Sequence, residues 1–416
     1  MVNWLRFNKF LTTRRLNYAL IAGGMLWFAW MLSCFLGPGN MDLAGQVMGT
    51  DYLQFYSAGL TLRDGQSVNL YNFDYQSQIE QNIAGPGLQY FHAFITPPFL
   101  AWLYVPLTYL TYTMSFIVWS VLSLLFLIIS IKLLSTDSQA KAFKWSLTWF
   151  PIFAAISFGQ NSLLSLLLFS ITYWFWRKEK PLYAGLISSL LLFKPQMVLG
   201  LGILWILEWR RSWKSLIGLS FGGVILTGLC FIFLPDASKA YVDLARNFLP
   251  GLIYQDQFPL WHLDSLRGFW ILLLPGQKWL VESLSLLLSA FGIIGYILLW
   301  RRNRIHKDIL FAGAICLTIW ITPHAMIYDW SILLIPAILF WQALPQMRSF
   351  WKPAFVLIWI ATFLSGPLTT LQLRILPRAI QICVPILFWV YLTLFKQINE
   401  IRKKNLYLEL GKTEAQ

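Results

Sequence analysis

Ionisable side chains are rare in this chain, so the few that interrupt its apolar stretches are the first candidates for chemistry. Asp51 opens the segment DYLQFY at residues 51–56, which has the pattern of an amphipathic helix lying on a membrane. A carboxylate at this position can act as a general base toward a hydroxyl group. It can equally serve as a helix N-cap that satisfies first-turn amides. Spacing alone leaves both roles open.

Lys194 lies between two apolar segments and is followed by Pro195. Proline cannot continue a hydrogen-bonded helix, and a charge at membrane depth is costly, so the pair predicts a broken helix with a cation at its tip. Such a cation can bind a phosphate. The alternatives are a lysine that snorkels toward water and an internal ion pair.

Three further residues have similarly open roles. His324 and Asp329 flank a third polar interruption, where they could orient a base, hold a phosphate or pair with each other. Arg267 closes the segment HLDSLR at residues 262–267 and is the best candidate for a bidentate phosphate contact.

Motifs for other chemistries are missing from the sequence. No DxD pair, HExxH, Walker lysine loop, GxSxG elbow or GxGxxG stands in a usable context. The four cysteines are scattered singly in apolar stretches, where they are expected to be small buried hydrophobes. We therefore expect neither a metal ion nor a cofactor, and no nucleotide or serine-hydrolase site.

The elements that must position these residues are transmembrane helices. Apolar residues make up 57% of the 416-residue chain and charged residues only 12%, which is too little polar surface for a soluble globule of this size. Lys plus Arg outnumber Asp plus Glu by 32 to 18. The basic residues cluster at the ends of apolar runs, which identifies cytoplasmic loops and argues against nucleic acid as a partner. The clusters are 1–16, 132–144, 177–181, 208–214, 301–308, 343–352 and 396–416.

These loops define a topology with both termini in the cytoplasm. A first span at 17–36 leads to a long acidic external loop, 37–98, which is expected to carry amphipathic helices. An interfacial or re-entrant helix at 98–110 should break near residue 111 before the next span, 113–134. The sequence predicts an all-α bundle of about twelve crossings in one domain, 1–396, followed by a charged cytoplasmic tail, 397–416.

Three hairpins in this bundle have unusually short apolar arms. Arms of about 12 to 15 residues reach only about 18 to 23 Å, less than the roughly 30 Å hydrocarbon core. Their tips should therefore stop in the outer leaflet and share a wet cavity, since lipid cannot satisfy freed amides. The tips are Gly159-Gln160-Asn161, Lys194-Pro195-Gln196 and Thr322-Pro323-His324. The residues placed at or beyond the external face are Asp51, Asp64, His92, Gln160, Lys194, His262, Asp264, Arg267, His324 and Asp329.

Five short motifs in this order make the sequence similar to a known family. The motifs are residues 51–71 (from DYLQFY to LY), Thr96-Pro97-Pro98-Phe99 with Pro106-Leu107 and Trp119, Gly159-Gln160-Asn161, Lys194-Pro195-Gln196, and Asp264-Ser265-Leu266 with Pro323-His324. Together they resemble glycosyltransferase family 87, membrane-embedded enzymes of the GT-C superfamily, over about residues 45–345. Two positions depart from the family pattern: an aromatic residue is replaced by Thr96, and the asparagine often found before Ser-Leu is Asp264. Both departures are compatible with the family's reaction type, and they bear on which sugar and which acceptor are used.

The resemblance implies an inverting, metal-independent transfer of a hexose, mannose first, from a polyprenyl-phosphate sugar to a lipid or glycan acceptor at the external face of the plasma membrane. By position Asp51 would be the general base, with His324 as a second catalytic candidate. Cations near the leaving phosphate would stabilise the transition state. The substrate-binding candidates are Lys194, Arg267, Gln160, Asp264, Asp64, Tyr56 and Asp329.

The main alternative is a transporter or flippase, because broken helices with charged tips also form substrate sites in carriers. Against it, no inverted repeat is evident and the charged tips all lie toward one face of the membrane.

Overall fold

The computed structural model of the protein describes residues 9–85, 88, 90–135, 139–255, 258–302, 306–394 and 396. In this part of the chain every extended regular element is a helix, and the only β pairing is an isolated bridge between Met41 and Val47. The predicted tail, 397–416, lies outside the described residues.

Eighteen α-helical segments of the described residues are numbered α1 to α18 in chain order. They are Thr13–Leu36, Tyr52–Arg63, Phe73–Ala84, Pro98–Tyr104, Tyr112–Leu134, Gln139–Leu147, Phe150–Ser157, Ser162–Arg177, Pro181–Ser189, Leu199–Leu207, Trp209–Phe233, Pro235–Asn247, Leu266–Leu273, Lys278–Arg302, Lys307–Ile321, Leu334–Ala343, Arg348–Ile375 and Cys383–Leu394. Short 3-10 helices lie between them at Ser67–Asn69, Val105–Tyr109, Leu190–Phe193, Pro195–Val198, Leu249–Tyr254, Leu260–His262, Ile327–Leu333 and Pro345–Met347.

Five of the described helices are long and apolar enough to cross a membrane: α1, α5, α11, α14, and α17 with the turn before it. Helices α7 and α8, between which the chain bends by 119°, would make a sixth span if they count as one. Large apolar side chains stay exposed along α1 and α11, as expected for faces in contact with lipid. The protein is thus an all-α membrane protein. Its other apolar helices are shorter than a full span, so twelve crossings remain a prediction.

The helices are interrupted at the three predicted tips, for local reasons. Lys194 has extended backbone angles, φ −131° and ψ 77°, between two 3-10 turns, because the ring of Pro195 disfavours a helical conformation in the residue before it. Pro195 also lacks the amide that would continue the helix. Gly159 has φ +67°, a conformation that glycine adopts without strain. A Cβ on Gly159 would lie 2.5 Å from the Cβ of Tyr52, so this glycine also lets the start of α2 approach the tip.

The expectation that an amphipathic helix on the membrane surface starts at Asp51, over residues 51–59, is wrong. Most of α2 is buried inside the protein, on all sides. The ring of Phe55 stacks on that of Tyr104 with centroids 5.0 Å apart, and Gly59 lies against the backbone of the same tyrosine. Aromatic residues from later segments cover α2, and its own periodicity does not reveal them.

Candidate functional site

The carboxylate of Asp51 does not cap its own helix. Asp51 is the residue before α2, but among the described residues its side chain accepts no hydrogen bond from the first-turn amides. The amide of Tyr52 instead donates to the carbonyl oxygens of Gly49 and Phe158, at 2.8 and 2.9 Å. The N-cap interpretation is therefore wrong, and the carboxylate is available for other contacts.

Gln160 holds this carboxylate from the first hairpin tip. Its Nε2 donates to Asp51 Oδ2 at 2.9 Å and to the Tyr328 hydroxyl at 3.1 Å. Gln160 is itself buried, and its Oε1 accepts from the amide of Asn161 at 3.3 Å. The Trp119 indole of α5 donates to the carbonyl of Gly159 at 3.0 Å, and the Tyr52 amide of α2 donates to that of Phe158, so both helices hold the tip. One amide group thereby connects three distant parts of the chain.

Lys194 forms an internal ion pair beside this cluster. Its Nζ lies 2.6 Å from Oδ1 of Asp329, and both side chains are largely buried. Asp329 also accepts from the Ser162 hydroxyl at 3.0 Å and from the Met326 amide at 3.1 Å. The Lys194 ammonium lies 5.2 Å from the centre of the Tyr328 ring. The sequence left open a pairing of Asp329 with His324, and in the structure Asp329 pairs with Lys194.

His92 is the residue that the sequence interpretation missed. Its Nδ1 lies 3.9 Å from Asp51 Oδ1, and each of the two side chains keeps 20% of its surface exposed. Its backbone amide donates to Oε2 of Glu80 at 2.9 Å. The predicted topology places His92 on the external side, but nothing in its neighbouring residues indicates a role for it. Only its identity as one of four histidines could have drawn attention to it.

Burial and charge act in opposite directions on this pair. Burial raises the pKa of Asp51, and the nearby Asp329 raises it further, while His92, the Gln160 hydrogen bond and Lys194 lower it. Burial lowers the pKa of His92, against the effect of Asp51. Both groups thus favour their neutral forms more than they would in water. A carboxylate with a raised pKa is a stronger proton acceptor when ionised.

Arg267 and His324 lie in a neighbouring group. Arg267 forms an ion pair with Glu282, donating from Nε at 2.9 Å and also from a terminal nitrogen. The His324 ring packs edge-on against Phe258 with centroids 5.3 Å apart. Burial lowers the pKa of His324, and Asp329, Lys194 and Arg267 all act on it electrostatically. His324 thus lies within electrostatic range of both ion pairs.

Asp64 and Tyr56 do not join this cluster. Asp64 directly follows α2, about 20 Å along the helix from Asp51 at 1.5 Å per residue. Its carboxylate pairs with Arg63 at 3.0 Å, and nearly half of its surface is exposed. The buried Tyr56 donates its hydroxyl to the carbonyl of Leu110 at 2.8 Å, which fixes the turn before α5.

Asp264 lies in a different environment. It is fully buried and its Oδ1 accepts from the Ser365 hydroxyl of α17 at 2.9 Å, while its carbonyl accepts from the Trp330 indole at 2.9 Å. Burial raises the pKa of Asp264 to about 7, although the hydrogen bonds with Ser365 and Cys383 lower it. In the described residues no three His, Cys, Asp or Glu side chains are grouped closely enough to hold a metal ion.

Comparison with known proteins gave one match. The model of glycosyltransferase family 87 matches residues 94–323, more than half of the chain. No curated protein and no solved structure matched. The matched region includes Gln160, Lys194, Asp264 and Arg267, whereas Asp51 precedes it and His324 follows it directly. The chain belongs to glycosyltransferase family 87 and is a membrane-embedded glycosyltransferase.

Proposed function

We propose that this protein is an inverting, metal-independent transferase that moves a hexose, mannose first among the candidates, from a polyprenyl-phosphate donor to a lipid or glycan acceptor. The observation that carries the proposal is the Asp51 carboxylate, which is free of its own helix, held by Gln160 and partly open to solvent. A general base for a hydroxyl acceptor needs this combination of fixed position and access.

In this mechanism Asp51 takes the proton of the acceptor hydroxyl as its oxygen attacks the anomeric carbon. A single carboxylate suffices, because attack on the side opposite the leaving phosphate inverts the configuration in one step. The buried surroundings support this role, since they raise the pKa of Asp51 and so its affinity for the proton. The bond to phosphate breaks with its electrons moving to the phosphate oxygen.

Lys194 is the first candidate for contact with that phosphate. A lysine ammonium has three donors, and Asp329 Oδ1 accepts one of them. Lys194 could therefore bind a phosphate oxygen without giving up its ion pair. Arg267 and His324 are the next candidates, because the Arg267 charge acts on His324 and the imidazole, which burial keeps neutral, can still donate a hydrogen bond. Charge that grows on the phosphate in the transition state would be stabilised more than charge in the ground state.

Transport remains the alternative function, since charged tips on broken helices also occur in carriers. Membership of a glycosyltransferase family favours group transfer. A carboxylate poised beside a histidine and an amide is also better suited to proton abstraction than to release of a translocated lipid.

The donor can be tested directly with purified protein. We expect radiolabel to move from polyprenyl-phosphate mannose to extracted membrane lipids or glycans, with polyprenyl-phosphate glucose and arabinose as competing donors. The rate should not change when a metal chelator is added. Transfer that requires a nucleotide sugar as the immediate donor, or that stops with chelator, would contradict the proposal.

The location of the site on the external face of the plasma membrane can be tested with single cysteines in a chain whose four native cysteines are replaced. Gln78 and Lys178 are both exposed, the first in the predicted external loop and the second in a predicted cytoplasmic loop. We expect an impermeant thiol reagent added to intact cells to modify Gln78→Cys and not Lys178→Cys. The reverse pattern would place the site on the cytoplasmic side.

A further inference from the structure

Residues 92–96 form a short strap whose backbone is held at every second residue. The His92 amide donates to Glu80, and the Phe94 amide donates to Oε1 of Gln76 at 2.8 Å. The Tyr71 hydroxyl donates to the carbonyl of Thr96 at 2.6 Å. Side chains thus hold this strap much as a neighbouring strand would hold an edge strand. The alternation makes the backbone position of His92 well defined.

The two residues of α3 that hold the strap are its only buried ones. Gln76 and Glu80 are four residues apart, hence on the same face of the helix, and are 2% and 0% exposed. Burying a carboxyl is costly unless it is neutral or paired. Burial raises the pKa of Glu80 to about 8, so it is mostly protonated at neutral pH. A buried polar face on a short external helix indicates a role beyond packing.

The held strap directs the His92 imidazole at Asp51. The Nδ1 to Oδ1 distance of 3.9 Å is too long for a direct hydrogen bond, and both side chains are partly exposed. The gap can therefore close by a small movement or be bridged by water. Oδ2 is already held by Gln160, and the Tyr328 hydroxyl also contacts the carboxylate, so His92 is the titratable partner on the Oδ1 side.

We propose that His92 is the positioning partner of Asp51, orienting the carboxylate and accepting its proton after each transfer, and that Glu80 sets the place of His92 through the strap. This inference rests on the proposed function, in which Asp51 is the base. It adds to that function a route by which the base is regenerated.

The proton balance of the cycle is simple. The acceptor oxygen bonds to the anomeric carbon, its proton passes to Asp51, and the phosphate leaves with the electrons of the broken bond. The proton then moves from the carboxyl oxygen to Nδ1 of neutral His92, and the imidazolium releases it to water. Burial lowers the pKa of His92 and keeps the imidazole neutral before the transfer, and the Asp51 carboxylate, which raises that pKa, stabilises the imidazolium once it forms. Asp51 also faces Lys194, Asp329 and the Tyr328 hydroxyl, and His92 faces Asp51 and Glu80.

The experiment compares His92→Ala with the wild-type protein, using radiolabelled polyprenyl-phosphate mannose. We expect turnover to fall at least about tenfold, less than the about 10² to 10⁴ lost with the base itself. The KM for the donor should stay within about twofold, since no ground-state donor contact is removed. The acid limb of the pH–rate profile should move to higher pH, because His92 lowers the pKa of Asp51. Imidazole added to the buffer should restore part of the activity.

The role of Glu80 is tested with a matched pair on α3. Glu80→Leu removes the acceptor for the His92 amide and should lower turnover, whereas Gln78→Leu changes an exposed position of the same helix and should not. Glu80→Gln retains an acceptor oxygen and should remain close to wild type, which keeps the test valid if the leucine variant does not fold.

The outcomes separate this inference from the proposed function. His92→Ala with wild-type turnover and an unshifted acid limb, beside an inactive Asp51→Asn, would overturn the inference and leave Asp51 as the base. A loss in His92→Ala that imidazole does not relieve, with an unshifted acid limb, would also overturn it. An active Asp51→Asn would overturn the proposed function itself.

Discussion

Two aspartates in this protein, Asp51 and Asp264, have raised pKa values for the same first reason, burial, yet their surroundings differ. Asp51 keeps 20% of its side-chain surface exposed and faces His92, Gln160 and the Lys194 pair. Asp264 is 2% exposed and is bonded to Ser365 within the helix bundle.

The difference shows that a perturbed pKa alone does not identify a catalytic carboxylate. Asp264 has hydroxyl and thiol partners and no charged neighbour among the causes of its shift, as expected for a group that fixes helix packing. Asp51 combines access with titratable neighbours from three separate segments. Substitutions at Asp51, Lys194, Arg267 and Asp264 would break or sharpen this contrast.

The largest effect is expected for Asp51→Asn, which keeps the shape of the side chain but cannot accept a proton. Transfer should fall by about 10² to 10⁴ while the folded protein still binds donor. Asp74→Asn is the matched control, an exposed acidic residue in the first turn of α3. The measurements are single-turnover transfer and the thermal midpoint in detergent. A stable Asp51→Asn protein with more than about a tenth of wild-type turnover would remove Asp51 from the base role.

The next effect concerns Lys194, whose loss leaves Asp329 buried and unpaired. Lys194→Ala should lower stability by about 3 to 5 kcal/mol and weaken use of the donor. Lys194→Arg should rescue only partly, since the two cations differ in shape and hydration.

A double variant separates the stability of the ion pair from phosphate binding. Lys194→Met with Asp329→Asn is neutral and keeps an acceptor for the Met326 amide, so it should recover most of the thermal midpoint. Transfer should nevertheless stay low if Lys194 contacts the phosphate. Recovery of both would show that the ion pair is structural.

A smaller effect is expected for Arg267→Ala, which removes the partner of Glu282. Loss of a charge-assisted contact to the donor would lower kcat/KM by a factor that corresponds to about 1 to 3 kcal/mol of transition-state stabilisation. Glu282→Gln is the variant to compare with Arg267→Ala, because the Arg267 guanidinium stays in place and only its partner loses its charge. If Arg267 serves the donor, Glu282→Gln should retain donor use. Equal losses in both variants would mean that the ion pair only supports the fold.

The smallest effect on transfer is expected for Asp264→Asn, which should act on stability instead. The folded pKa of Asp264 is raised to about 7, so the folded state binds more protons than the unfolded state between about pH 4 and 7. Stability of the wild type should therefore fall as pH rises through this window. Asn cannot ionise, so the thermal midpoint of the variant relative to wild type should improve from pH 5 to pH 8. A difference independent of pH would contradict this placement of Asp264.

The sequence by itself determined the membrane character and the points where helices break. Pro195 and Gly159 act through their own backbones, as a missing amide and a positive φ, so their effect is visible without any partner. The candidates Asp51, Gln160, Lys194 and Asp329 were also named from sequence, and the structure brings them together because helix ends converge.

Only the tertiary structure decided which partner each of these residues has. Asp51 could have capped α2, but the packing of the Gly159 tip against Tyr52 turns it toward Gln160. Lys194 pairs with Asp329, 135 positions away, and His92 reaches Asp51 through a strap held by α3. Periodicity and local motifs describe a residue's own backbone and face. They carry no information on which distant side chain meets it, because that depends on how whole helices pack.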